Sequence, residues 1–469
     1  MFTILLLSIV SFVLYFLSPK EFSLGFCWVQ FILYIYLSYK LFRYTNRNYL
    51  IGFNVVFIVS FFLVTFVYPL FIYSLDETFF LIYRYYFNPD FINKGTALSV
   101  AAFSLYVLGY CVGLKKSVSH LSTVQVVTYK IKTYRFVQAI QLFVFLFVAK
   151  GQIDQLRQGL IYGDFVFDMT SSSLLRILNL VMILVVSKRY ANEISGRPLN
   201  FIKYNSYTLT LIGLISIIDL ISGSRQFVLG YAICLLFIYS FFVYRIKPVK
   251  ALYLGIFSIV VLASVGMLRN KTDNDSWNIE SLVQLREYQE GSQVNSVWNI
   301  FEDYIVNTRN IYIGLEYVDK YGVDYGTNAC IQLLGVIPYV PSIVSYALFD
   351  RAPVSFSSQE LLTQYTRKDL GYSRLNMEIG SNLAIDLYMS WHLLGIFVLF
   401  FLGLIISKLE RIMPYSIYSF CIYLMFLSNS LFYVRSSFWG AIRTIVWGCA
   451  VMFILVKVKR LPISLTPSK

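Results

Sequence analysis

The chain has 469 residues, 58% hydrophobic and 18% aromatic, with only 14% charged and a mean hydropathy of +0.65. That balance excludes a soluble globular domain of this size. The formal charge of +14 does not require nucleic acid, because the basic excess sits in short segments between apolar stretches.

Apolar stretches of about 16–25 residues read as transmembrane helices, which satisfy their own backbone hydrogen bonds in lipid. Twelve are expected, at 2–18, 22–42, 49–75, 95–114, 135–149, 174–188, 206–222, 227–244, 251–268, 383–407, 415–434 and 442–457. The first lacks the basic leader and small-residue exit of a cleaved signal peptide, so it is read as a retained span. Alternate short loops hold more than half of the Lys and Arg, against two acids, Glu193 and Glu410. The positive-inside rule places these loops, and both termini, in the cytoplasm.

The chain then divides into helices 1–9 over 1–268, a large outward-facing loop over 269–382, and helices 10–12 with a cytoplasmic tail over 383–469. The loop is the only segment large enough to form a site outside the lipid. More than half of the 25 Asp and Glu lie in it. Residues 277–290 and 294–321 show helical apolar spacing, for example Val297, Ile300, Phe301 and Ile305. Residues 331–349 are apolar but interrupted by Pro338 and Pro341. They are too broken to span, and are expected to lie on the interface or dip into the bundle.

Of the six cysteines, only Cys330 falls in the loop, and no CxxC or Cys/His cluster occurs. Neither a disulfide framework nor a zinc site is supported, and no metal is expected. No Walker loop, GxGxxG or HExxH is present. Asp273-Asn274-Asp275 has the look of a metal-nucleotide triplet, but it lies on the outward side and is also ordinary turn chemistry.

Ionisable residues inside spans are costly and tend to be functional. Arg176, Asp219, Asp386 and Arg443 all fall at the outward ends of their spans. A transporter gathers polar groups near mid-depth; this pattern points to a site at the outer face. Gly223-Ser224-Arg225 forms a tight outward turn that fixes a guanidinium at the membrane surface, suited to a lipid diphosphate. Arg435 and Arg443 flank the last outward turn, and Arg309 and Arg351 are further cations in the loop. For each, the alternative is contact with phospholipid headgroups or solvent. Glu378 stands just before the tenth span, placed to act as a base, and His392 is a second candidate about two turns further in. The alternative for His392 is a histidine satisfied inside the bundle.

The layout resembles the O-antigen polymerases, the oligosaccharide repeat-unit polymerases of bacterial surface polysaccharides. The resemblance covers most of the chain as architecture. Locally it rests on Gly223-Ser224-Arg225, on Ile337-Pro338-Tyr339-Val340-Pro341, and on Glu378-Ile379-Gly380-Ser381-Asn382 through Gly395. It implies an all-α polytopic bundle of about twelve helices, GT-C-like, in the bacterial inner membrane, with the large helical loop in the periplasm roofing the active site. It implies transfer of a glycan from undecaprenyl diphosphate to a hydroxyl of the next lipid-linked repeat. Donor and acceptor are both undecaprenyl-diphosphate-linked oligosaccharides. Membrane lipids and a polysaccharide chain-length regulator are the further partners, with no nucleic acid and no cofactor. Glu378 or His392 would take the hydroxyl proton, while Arg225, Arg435, Arg309, Arg351 and Arg443 would hold the diphosphate. A flippase for the same lipid-linked oligosaccharide, or an O-antigen ligase, are the competing readings.

Overall fold

Among the described residues the protein is all-helical, with no strand. Long apolar runs have no other way to pair their backbone in lipid unless they close into a barrel. The computed structural model describes residues 2–45, 51–77, 87–115, 131–157, 166–221, 226–246, 298, 301–337, 339–370 and 380–459. In chain order the helices are α1 (Phe2–Phe16), α2 (Leu24–Tyr44), α3 (Phe53–Thr65), α4 (Phe91–Lys115), α5 (Ile131–Arg157), α6 (Val166–Arg189), α7 (Ala191–Ile194), α8 (Pro198–Ile221) and α9 (Gln226–Phe242). After the undescribed stretch come α10 (Glu302–Ile305), α11 (Thr308–Tyr321), α12 (Thr327–Leu334), α13 (Val340–Phe349), α14 (Ser358–Lys368), α15 (Leu383–Trp391), α16 (Leu393–Ile396), α17 (Val398–Ile412), α18 (Ile417–Tyr433) and α19 (Phe438–Lys459).

Five stretches are long and apolar enough to cross a membrane: Leu24–Tyr44, Phe91–Leu114, Arg135–Asp154, Pro198–Leu220 and Leu393–Ile412. They overlap the second, fourth, fifth and seventh expected spans, and the last overlaps only the part of the tenth beyond His392. Shorter apolar helices, Phe2–Phe16, Phe53–Thr65, Gln226–Phe242, Ile417–Tyr433 and Phe438–Ile454, fall where the first, third, eighth, eleventh and twelfth were expected. The sixth lies within α6, and the ninth, 251–268, is outside the described residues.

Two expected spans are not single helices. In the third, α3 gives way to a π-helical turn, Tyr68–Ile72, which contains Pro69. The tenth breaks at His392, whose φ of 56° takes the chain out of the helical region between α15 and α16. Gly395 allows this fold-back, since a Cβ there would strike the Leu387 carbonyl. The apolar run continues through the break, so composition alone reads it as one helix.

Helix α4 is the centre of the bundle. Within its apolar window 83% of residues are buried, against 33% in α5, which leaves α5 with a broad apolar outer face. Neighbours of α4 are α1, α2 and, most extensively, α17. Glycines bring α4 and α17 into backbone contact. A Cβ on Gly109 would meet the Phe400 carbonyl, and one on Gly403 would meet the Tyr106 carbonyl. Small residues at such crossings drive association where lipid removes any hydrophobic gain. Gly109→Leu is therefore expected to destabilise by about 3 kcal/mol or more, the upper range for overpacking. Gly213→Leu, in open space on α8, is expected to change little. Melting of the detergent-solubilised variants checks this, and equal melting temperatures for the two would contradict the contact.

Candidate functional site

Residues 301–370 form a helical layer seated on the bundle. Helix α10 packs on α3, α11 on α4, α15 and α14, and α12 on α19. Thr308 Oγ1 donates to the Val64 carbonyl at 2.5 Å, and the Asp324 N–H donates to the Met389 carbonyl at 3.1 Å. The far ends of α11 and α14 are joined by Lys320 and Asp369, 2.8 Å apart, and by the Tyr321 hydroxyl on the same carboxylate. Those two donors hold the Asp369 carboxyl below the usual aspartate range.

Glu378 and Arg225 lie outside the described residues. His392 is exposed, not buried inside the bundle, and stands at the head of the stretch Leu393–Ile412. The position is a consequence of the helix break, which brings the imidazole to the start of a stretch long and apolar enough to cross a membrane. Its Nε2 and the Tyr388 hydroxyl are 2.7 Å apart, and Tyr388 in turn meets the Tyr15 hydroxyl at 3.0 Å. The ion pair Lys94–Asp319, at 3.7 Å, also acts on this imidazole.

Of the five arginines expected to hold the diphosphate, Arg309, Arg351, Arg435 and Arg443 are described. Arg435 lies over the rings of Tyr304 and Phe432, at 4.8 and 4.7 Å. Arg309 opens α11 one turn after Tyr304 and is 5% exposed, with its charge felt by Tyr68. Arg351 is exposed, just before the short helical turn Pro353–Phe356 that packs on α12. Arg443 is half-buried on the second turn of α19, the helix on which α12 packs.

Asp386 is satisfied structurally. Its Oδ2 accepts from the Phe438 N–H at 2.9 Å, which caps the start of α19, and lies 3.1 Å from Ser437 Oγ. Its burial is thus accounted for by the α15–α19 junction.

Arg176 is different. It is 2% exposed, with Nη2 donating to Asn429 Oδ1 at 3.2 Å and the guanidinium over Phe227 at 5.0 Å. Its Nε and Nη1 are buried without a hydrogen-bond partner. Gly230 lets α9 approach α18, since a Cβ there would meet the Ser428 carbonyl at 2.6 Å. Phe227 belongs to the first turn of α9. Nearby, Gln152 Nε2 donates to Asp219 Oδ1 at 2.6 Å, and Gln141, Asn179 and Tyr231 form a hydrogen-bonded chain at 2.5 and 3.0 Å. A buried guanidinium with free donors is a place where an anion is stabilised.

Two features escape a reading of the sequence. Glu410, counted there with the cytoplasmic-loop acids, is 3% exposed within the bundle. Its oxygens accept from the Tyr110 hydroxyl at 2.5 Å, the Tyr423 hydroxyl at 3.0 Å and Asn54 Nδ2 at 3.4 Å. Tyr106 and Tyr110, four apart on α4, were the available signal, since that spacing puts both hydroxyls on one face. The second feature is a cleft of about 140 Å³ lined by Tyr317, Tyr321, Asp324, Asn328, Leu361 and Met389. Asp324 Oδ1 accepts from the Gly326 N–H at 2.8 Å, fixing a turn in which Tyr325 takes a φ of 52°. Burial pushes the Asp324 carboxyl above the usual aspartate range, against the opposing pull of the Gly326 and Asn328 donors. The cleft is below the ~300 Å³ lower bound of drug-sized ligand pockets.

Fold and site together describe a helical protein with apolar helices able to cross a membrane, carrying a folded layer on the bundle. Compared with known protein families, curated proteins and solved structures, the chain has no match in any of the three.

Proposed function

We propose that this protein polymerises lipid-linked oligosaccharide repeat units at the outer face of the bacterial inner membrane. The observation that carries the reading is the helical layer 301–370 seated on helix ends, with an exposed imidazole, His392, at the junction. That arrangement suits a reaction at one membrane face, where both diphosphates of two amphiphilic substrates would lie. A diphosphate ester leaves readily, so the main requirement is fixed positive charge for the developing anion. Arg176, Arg309 and Arg435 are the described cations held most firmly, by burial or by aromatic rings. The attacking hydroxyl needs a proton acceptor, a role for which Glu378 and His392 are the candidates.

A carrier for the same lipid-linked oligosaccharide is the second reading. The polar chain Gln141–Asn179–Tyr231 inside α5, α6 and α9 favours it, because transporters place polar groups within the bundle. Deletion of the gene separates the two. The polymerase reading expects surface glycan of single repeats in place of a ladder. A complete loss of surface glycan would instead favour the carrier, and an unchanged ladder would dismiss both.

A further inference from the structure

Residues 332–356 leave one level of the protein and return to it. Gln332 marks that level twice: Ser437 Oγ, at the start of α19, donates to its Oε1 at 2.7 Å, and its Nε2 donates to the Phe356 carbonyl at 3.2 Å. Between these points the chain descends along α19. The Val336 carbonyl accepts from Trp447 Nε1 at 2.7 Å. Trp447 is ten residues beyond Ser437, about 15 Å along a helix at ~1.5 Å per residue. An indole leaning toward the helix start shortens that descent, to roughly 10–15 Å.

Helix α13, on the returning arm, has the polarity of a lipid-facing element. Its one buried residue is Ser345. Its large apolar side chains face outward, with Ile343 66% and Leu348 70% exposed and Tyr346 and Phe349 also exposed. Ile337 and Tyr339, at the tip, are exposed as well. A helix lying in water buries its apolar side and shows its polar one.

Much of the described backbone around the tip is paired within the segment. The N–H groups of Gly335, Val336, Ile337, Val340 and Ile343 all donate to carbonyls within 332–343. Pro338 and Pro341 carry no N–H to satisfy. Irregular backbone at membrane depth is tolerated where it packs on protein, as the Val336 carbonyl does on Trp447.

We propose that 332–356 is a re-entrant hairpin whose α13 face lies among the acyl chains of the bilayer, alongside α19. The occupant of this face is lipid: the arm 332–336 runs down apolar α19 from Ser437 to Trp447, and the helix that returns from it shows an apolar, exposed face. The inference rests on the membrane character of the chain and is independent of the reaction proposed above.

The test uses the full chain in lipid nanodiscs, with Cys330→Ser removing the exposed native thiol. Bimane is attached at Ile343→Cys or Leu348→Cys, and at Tyr325→Cys, 86% exposed at the neighbouring turn, as the aqueous control. Phosphatidylcholine brominated on its acyl chains is expected to quench the first two at least twofold and to leave the third unchanged. Iodide in the buffer is expected to do the reverse. Quenching of Ile343→Cys and Leu348→Cys by iodide alone would put the hairpin in water and overturn the proposal. Protection from both quenchers, with a dimer on light scattering, would assign the face to a second copy and overturn it equally. A failure here leaves the gene-deletion result untouched, so the two readings fall separately.

Discussion

Under the proposed polymerase reading, Arg176→Ala is expected to reduce glycan polymerisation by a hundredfold or more, the scale found when one preorganised donor to a developing anion is removed. The guanidinium is held in place by Asn429 and Phe227, while its Nε and Nη1 have no protein acceptor. A diphosphate would supply that acceptor. The substitution also leaves Asn429 Oδ1 without its donor, so melting of the purified variant must be measured alongside. Arg176→Lys keeps the charge but loses the planar fork, and should fall between wild type and Arg176→Ala. A wild-type ladder from a strain carrying only Arg176→Ala would remove Arg176 from the site. A loss of ladder with a collapsed melting temperature in both variants would assign the residue to folding alone.

Glu410→Ala is expected to give the second large effect, on stability. Three interhelical hydrogen bonds converge on this carboxylate, from α4, α18 and the start of α3. Such bonds in a membrane bundle contribute about 0.6–1.7 kcal/mol each, so their joint loss is worth on the order of 2–5 kcal/mol before any cavity is counted. The network extends further: the Tyr423 hydroxyl also receives the Phe53 N–H at 2.9 Å, and Asn54 reaches Thr45 Oγ1 at 3.1 Å. Glu410→Gln retains an acceptor oxygen and should lose less. Thermal unfolding in detergent distinguishes the variants, and an unshifted midpoint for Glu410→Ala would show that the carboxylate does not tie the helices together.

The candidate site was legible only in outline. The sequence marks 269–382 as the polar insert, and the described part of it does fold into helices seated on the bundle. It also marks Arg176 as a charge within a span. It does not show that Asn429 and Phe227, from two other helices, complete the surroundings of that charge. Asp324 carried no signal, because its cleft is assembled from α11, α14 and α15. His392 was read as part of a span, since the apolar pattern of 383–407 runs unbroken through a residue with positive φ.

What the sequence determined by itself is helicity and the position of the apolar runs. In lipid every backbone group must be paired locally, so apolar length is enough to specify a helix. What only the tertiary structure decided is which side of each helix faces inward. Hydropathy is nearly uniform around α4, and its rotation is set instead by contacts such as Gly109 on Phe400 and Gly403 on Tyr106. That rotation turns Tyr106 and Tyr110 toward Asn54 and Glu410. A buried carboxylate could not be told from a loop acid before the helices had met.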